Sequence, residues 1–228
     1  MNKHIKQNTI KKDVKFSGIG LHSGENSSVT LRPAAENAGI TFIKTNKGEQ
    51  HTIPADFKFI SNSQLCTTLQ SYDAKSKIFT VEHLLAAIKG NSIDNLIIEV
   101  DKDEIPALDG SALEFEEILK KAGVVEQNQY KKFLVINKVV EVEKGLSKIK
   151  LYPSDTFNID CTIDFPEPIG KQTISLGNSV KEIYQKVLSA RTFCFFENIE
   201  EMRKVGLAKG GSLENAIVIK ENKIMNLQ

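Results

Sequence analysis

Lys89-Gly90-Asn91-Ser92-Ile93-Asp94-Asn95-Leu96-Ile97-Ile98 returns 120 positions later, in altered form, as Lys209-Gly210-Gly211-Ser212-Leu213-Glu214-Asn215-Ala216-Ile217-Val218. At the same offset, Ser27-Ser28-Val29-Thr30-Leu31-Arg32-Pro33 returns as Ser147-Lys148-Ile149-Lys150-Leu151-Tyr152-Pro153. Two ungapped matches at one spacing read as an internal repeat, which decides architecture before any single element does. They predict a duplicated α+β domain, with the first copy at 1–128, the second at 129–228, and a short polar joint over Val124–Tyr130.

Working outward, the first copy reads as strands at 8–14, 29–33 and 40–43, a strand or strand edge over 57–69, a helix at 80–90, a strand at 95–100 and a helix at 111–123. In the second copy the same patterns predict strands at 133–142, 147–152 and 157–164, a helical region from Val180 to Val205 and a strand at 216–219. By the repeat, the counterpart of helix 111–123 would fall past Gln228, so the second domain is expected to be incomplete, with an apolar face left for missing chain or a partner to cover.

Helix 80–90 carries the chemistry. Val81, Leu84, Leu85 and Ile88 recur at helical spacing, Thr80 is the expected N-cap, and Gly90 the expected stop. Glu82 and His83 break the apolar pattern in the first turn. They are either a solvated helix start, where a carboxylate complements the dipole, or a general base beside a metal ligand.

Composition narrows the classes. The 228 residues are 40% hydrophobic and 26% charged, enough for a sizeable core. Thirty basic against twenty-nine acidic residues give a net charge of +1, which offers no field for nucleic acid. The longest apolar runs, such as 133–136 and 216–219, are of strand length and far too short to span a bilayer, and residues 1–12 lack the apolar stretch of a signal peptide. Cys66, Cys161 and Cys194 are widely separated, which excludes a Cys-x-x-Cys zinc site and suits a cytoplasmic location. Ser17-Gly18-Ile19-Gly20-Leu21-His22-Ser23-Gly24 reads as a tight turn whose backbone approaches something closely, with His22 either functional or simply directed at water.

Six blocks in order carry a resemblance: Gly20-Leu21-His22-Ser23-Gly24, Thr80-Val81-Glu82-His83-Leu84, Ile93-Asp94-Asn95, Leu108-Asp109-Gly110-Ser111-Ala112, Ser189-Ala190-Arg191-Thr192-Phe193, and Gly210-Gly211-Ser212 with Asn215-Ala216-Ile217-Val218. Together they resemble the UDP-3-O-acyl-N-acetylglucosamine deacetylase family, zinc amidases of lipid A biosynthesis. The resemblance implies two β-α-α-β two-layer domains with the helices packed between outer sheets. It implies Zn2+ as cofactor and the acylated nucleotide sugar as substrate, met at the inner leaflet without a transmembrane segment. It assigns His83 as a zinc ligand, Glu82 as general base and Thr192 as donor to the oxyanion. Leu65, Cys66, Phe193, Gly211 and Ser212 would line the substrate. Alternatives stand beside these roles: Thr192 as a helix-end cap, Phe193 as core, Cys66 as a small buried hydrophobe, and Gly211 and Ser212 as a helix-ending turn.

The sequence departs from the family at one place. The family's other two zinc ligands, a His and an Asp in a His-Lys-x-x-Leu-Asp helix, and a later His that protonates the amine, have no counterpart within the 228 residues. His4, His22 and His51 show no spacing to His83 that would replace them, and there is no His-Glu-x-x-His helix. The expectation is therefore a C-terminally truncated chain with one of three protein ligands, impaired as an enzyme. Alternatively, it is a non-catalytic module for the same nucleotide-sugar lipid, or a fragment that needs a complementary chain.

Overall fold

The computed structural model describes residues 5–46, 48–177 and 179–226. The first part of the chain gives strands β1 (Lys6–Ile10), β2 (Val14–Ile19), β3 (Asn26–Pro33), β4 (Ile40–Asn46), β5 (Glu49–Pro54), β6 (Ile60–Asn62), β7 (Thr68–Gln70) and β8 (Lys77–Phe79). Helix α1 (Glu82–Gly90), β9 (Leu96–Val100), α2 (Leu113–Ala122) and β10 (Val124–Tyr130) follow. The remainder comprises β11 (Val140–Lys144), β12 (Ser147–Leu151), β13 (Ile159–Asp164), β14 (Lys171–Leu176), α3 (Val180–Val187), β15 (Phe193–Phe195), α4 (Phe196–Lys204), β16 (Ile217–Lys220) and β17 (Lys223–Ile224). This is an α+β fold.

The core lies in the first half, where two periodicities meet. Alternate residues of β3 (Ser27, Val29, Leu31) and β9 (Leu96, Ile98, Val100) are buried on one face of a five-stranded sheet ordered β2-β3-β9-β4-β5. Helix α1 answers with Leu84, Ala87 and Ile88, and α2 with Phe115, Leu119 and Ala122. β9 runs antiparallel to β3 and parallel to β4, so it joins the β2–β3 and β4–β5 hairpins into one sheet. Helix α3 also leans on this core: Leu188 and Tyr184 pack into it, and a Cβ on Gly90 would come within 3.1 Å of the Tyr184 Cβ. Gly90 is thus a point of close helix approach rather than a terminator, and the C-cap is Asn91.

Several expectations change on contact with the fold. Residues 124–130 form β10, antiparallel to β1, and the expected boundary after residue 128 falls inside that strand. The strand is held by a buried amide cluster in which Asn95 Nδ2 donates to Gln7 Oε1 at 2.8 Å and to Gln127 Oε1 at 2.7 Å. Residues 57–69 divide into a single 3-10 turn over Phe57–Phe59, then β6 and the start of β7. The strand expected over 133–142 starts only at Val140. The helical region expected over 180–205 is interrupted by β15, because residues 193–195 pair in parallel with β16.

The two halves of the repeat are placed differently. Ser147–Leu151 is the second strand of a hairpin, as the matching part of β3 is. Lys209–Val218 does not repeat the surroundings of Lys89–Ile98: β16 lies between β15 and β17, whereas β9 sutures two hairpins. Among the described residues, β11–β12 and β13–β14 are therefore separate two-stranded sheets, and every residue of β11 and β12 is exposed.

Candidate active site

Helix α1 begins without the expected cap. Thr80 has φ of +60°, and its hydroxyl donates to Glu104 Oε1 at 2.9 Å instead of accepting a first-turn N–H; Val81 occupies the N-cap with no side-chain bond. With the first turn lacking a side-chain acceptor, its free N–H groups leave positive potential next to Glu82. The Glu82 carboxylate is fixed from the other side, where Oε2 accepts the Thr67 N–H at 3.0 Å.

His83 is half-buried on the wall of a cavity of about 1000 Å³. Burial pushes its imidazole below the usual histidine range, and the nearby carboxylates of Glu82 and Asp109 oppose that shift without cancelling it. A neutral imidazole is the form that ligates metals.

Six of the eight residues singled out in the sequence face this one cavity: Leu65, His83, Thr192, Phe193, Gly211 and Ser212. Glu82 and Cys66 are not part of its wall. The Cys66 sulfur lies 3.9 Å from Thr68 Oγ1 and its thiol is pushed up by burial, which makes it a small packed side chain rather than a reactive one. Leu65 reaches the wall from a backbone at φ +65°.

Thr192 is not a helix cap. Its N–H donates to Gly110 O and its carbonyl accepts from Ile217 N–H, both at 2.9 Å, which fixes it between the loop before α2 and β16. Neighbouring Arg191 locks the same corner: Nε donates to Asp109 O at 2.7 Å, and Nη2 donates to Leu213 O at 3.2 Å and to Glu214 O. Phe193 stacks edge-on with Phe165 at 5.2 Å and with Phe195 at 6.3 Å. These rings, with Ile199, Met202 and Leu213, make the cavity predominantly apolar. Gly211 and Ser212 belong to a turn organised by Asn215, which accepts the Ser212 N–H at 2.8 Å and donates to Gly210 O at 2.9 Å.

The structure corrects the reading of His22 as a water-facing loop residue. It is buried and lines the cavity; Nδ1 accepts the Ala208 N–H at 3.4 Å, and Nε2 has no partner among the described residues. Its glycine-rich surroundings were the available sequence signal. Glu104, fully buried, carried no such signal, because it follows Asp101-Lys102-Asp103 in what reads as a solvated charged turn. His51 is occupied elsewhere, with Nδ1 3.5 Å from Asp73 Oδ2, and His4 lies outside the described residues.

A catalytic zinc takes three protein ligands and an open position. Among the described residues no group of three or more His, Cys, Asp or Glu side chains could hold a metal ion. His83 suits a ligand by position and protonation, but the donor set present does not by itself make a zinc site. No helix of the described residues is long and apolar enough to cross a membrane.

Comparison with known proteins gives one family. Residues 7–228 match the model described as LpxC, UDP-3-O-acyl N-acetylglycosamine deacetylase. The chain is 43% identical over 225 residues to a protein of Actinobacillus succinogenes, 44% to one of Histophilus somni and 42% to one of Legionella pneumophila. Each of the three is named UDP-3-O-acyl-N-acetylglucosamine deacetylase, and each match spans 97% of this chain and 73% of the relative.

Proposed function

The chain belongs to the LpxC family of UDP-3-O-acyl N-acetylglycosamine deacetylases, and from that membership we propose that it hydrolyses the N-acetyl group of UDP-3-O-acyl-N-acetylglucosamine, a zinc-dependent step of lipid A biosynthesis in the cytoplasm. One observation carries this reading: residues as far apart in sequence as Leu65, His83, Thr192 and Ser212 share one apolar cavity.

Amide hydrolysis requires a deprotonated water, a stabilised oxyanion and a proton for the departing amine. Glu82, held by the Thr67 N–H, takes the proton of the attacking water. Thr192, fixed through its backbone to Gly110 and Ile217, is the residue whose hydroxyl would donate to the oxygen that becomes negative. The apolar wall of Phe165, Phe193 and Leu213 takes the acyl chain, with Gly211, Ser212 and Leu65 beside the substrate and Cys66 next to Leu65 in sequence. Zinc, when bound, supplies an acidified water and a Lewis acid, with His83 the ligand that these residues contribute. The first half thus brings the base and the metal-binding imidazole, and the second brings the oxyanion donor.

The experiment is acetate release from the acylated nucleotide sugar, by the 228-residue chain alone and by the chain fused to the part of the Histophilus somni relative outside the match. Zinc-dependent release by the fusion that vanishes with Glu82→Ala and with His83→Ala is expected. Release insensitive to both substitutions overturns the assignment. The chain alone is expected to retain far less than one tightly held zinc per molecule and to turn over slowly or not at all, since zinc affinity is built from several ligands together.

A second reading rests on the donor set: among the described residues no metal-holding group is present, as in a binding module for the same nucleotide-sugar lipid or a fragment that requires a complementary chain. Substrate binding without release by the fusion would support it.

A further inference from the structure

Glu104 is a fully buried carboxylate that takes no part in the chemistry above, and a charge in that position is unfavourable unless hydrogen bonds replace its water. It has three donors: the His22 N–H at 2.9 Å and the Thr80 hydroxyl at 2.9 Å, both to Oε1, and the Ser23 N–H at 2.7 Å to Oε2. Its own backbone is bracketed against β8, where Phe79 N–H donates to Asp103 O at 2.9 Å and Ile105 N–H donates to Phe79 O at 3.1 Å. The carboxylate also presses on Gly20, where an added Cβ would lie 2.3 Å from Oε2.

The loop gripped in this way is the joint between the cavity's two sides. On its far face His22 O accepts the Lys209 N–H at 3.2 Å, Leu21 O accepts the Gly210 N–H at 3.1 Å and His22 Nδ1 accepts the Ala208 N–H at 3.4 Å. Leu21 and His22 line the cavity, as do Ala208 and Gly211 beyond the joint. Thr80, at the other end of the carboxylate, stands two residues before Glu82 and three before His83.

We propose that Glu104 is a positioning residue: its buried carboxylate sets the distance between the start of α1 and the Gly20–Gly24 loop, and through that loop the apolar wall of the cavity. The loop amides of His22 and Ser23 bond to Glu104, so its loss leaves two buried or part-buried donors unsatisfied and the loop shifts to satisfy them. The clamp itself is independent of the reaction assigned to the site; its effect on acyl binding rests on that assignment.

The test uses the 228-residue chain, with amide resonances of the loop and the affinity of 11-dansylaminoundecanoic acid as readouts. Glu104→Gln keeps the shape but presents an NH2 where a donor must be accepted. It is expected to move the His22, Ser23, Ala208 and Gly210 amides and to weaken the probe about tenfold, the cost of one lost bond to a buried charge. Thr80→Val, which removes a single donor, should move the same amides less and covers the case in which Glu104→Gln does not fold. Leu119→Ala in α2 is the control for plain destabilisation and should lower the melting temperature while leaving those amides and the probe affinity in place. Unmoved loop amides in Glu104→Gln or, where that variant does not fold, in Thr80→Val overturn the proposal, and so does equal weakening of the probe by Leu119→Ala. A wild-type chain that binds no probe counts against the acyl role of the cavity, and the amides then decide the clamp alone.

Discussion

The Thr67 N–H donates to Glu82 Oε2 at 3.0 Å, tying the carboxylate in the first turn of α1 to the loop that carries Leu65 and Cys66. Position and basicity at residue 82 can therefore be separated. Glu82→Gln keeps an oxygen for Thr67 but cannot take a proton. In the fusion that releases acetate, it is expected to lower the rate about 10²- to 10⁴-fold with little change in melting temperature. Glu82→Ala should lower both. A Gln variant of near-normal rate would remove Glu82 from the proton transfer.

His83 makes the stability pH-dependent with a definite sign. Burial lowers its folded pKa beneath the ordinary 6.5 it has in the unfolded chain. In the window between the two values the unfolded state binds a proton that the folded state refuses, so stability is complete above pH 6.5 and falls as the pH drops below it. Melting temperatures from pH 7 down to about pH 5 should fall more steeply for the native chain than for His83→Gln. Parallel slopes would show that His83 is not desolvated.

Gly210 packs against backbone. An added Cβ would lie 2.2 Å from Gly20 O and 2.7 Å from Ile19 Cγ2, neither at the end of a flexible chain. Gly210→Ala should cost about 1–3 kcal/mol by overpacking. At Gly211 the nearest atoms to a Cβ are 3.5 and 3.8 Å away, so Gly211→Ala should be tolerated. Denaturant midpoints for the pair test the contrast, and equal values would contradict the geometry.

The β11–β12 hairpin displays Val142, Leu146, Ile149 and Leu151 to solvent. Contiguous apolar surface of this kind binds dyes and promotes association. Leu146→Asp and Val142→Thr should reduce dye fluorescence and raise solubility, with stability changed by less than about 0.5 kcal/mol. A large drop in melting temperature would mean that the hairpin is packed rather than bare.

The sequence was most legible where side-chain periodicity and burial coincide. Leu84 and Ile88 in α1, Phe115 and Leu119 in α2, and Val29 and Leu31 in β3 all sit where their spacing puts them. Local pattern fails where a distant partner decides. Phe193–Phe195 interrupts a helical stretch because β16 pairs with it, and Thr80 gives up capping for a carboxylate that follows 24 positions later in sequence. Among the described residues the apolar run at 133–136 finds no strand partner, and it stays irregular. His22 was readable as a candidate from its glycines, but its burial depends on Ala208, from the far end of the chain. Glu104 had no local signal, since what marks it is three donors from two other segments.

Helix α3 follows the β11–β14 hairpins in sequence, yet Leu188 is buried in the core formed by α1, α2 and the five-stranded sheet, and its carbonyl accepts the Ala112 N–H at 2.9 Å. Heat cannot loosen α3 without wetting the interior of the first half. Calorimetry should accordingly record one shared endotherm for these parts, and a protease that nicks the chain just ahead of α3 should leave that helix bound to its host.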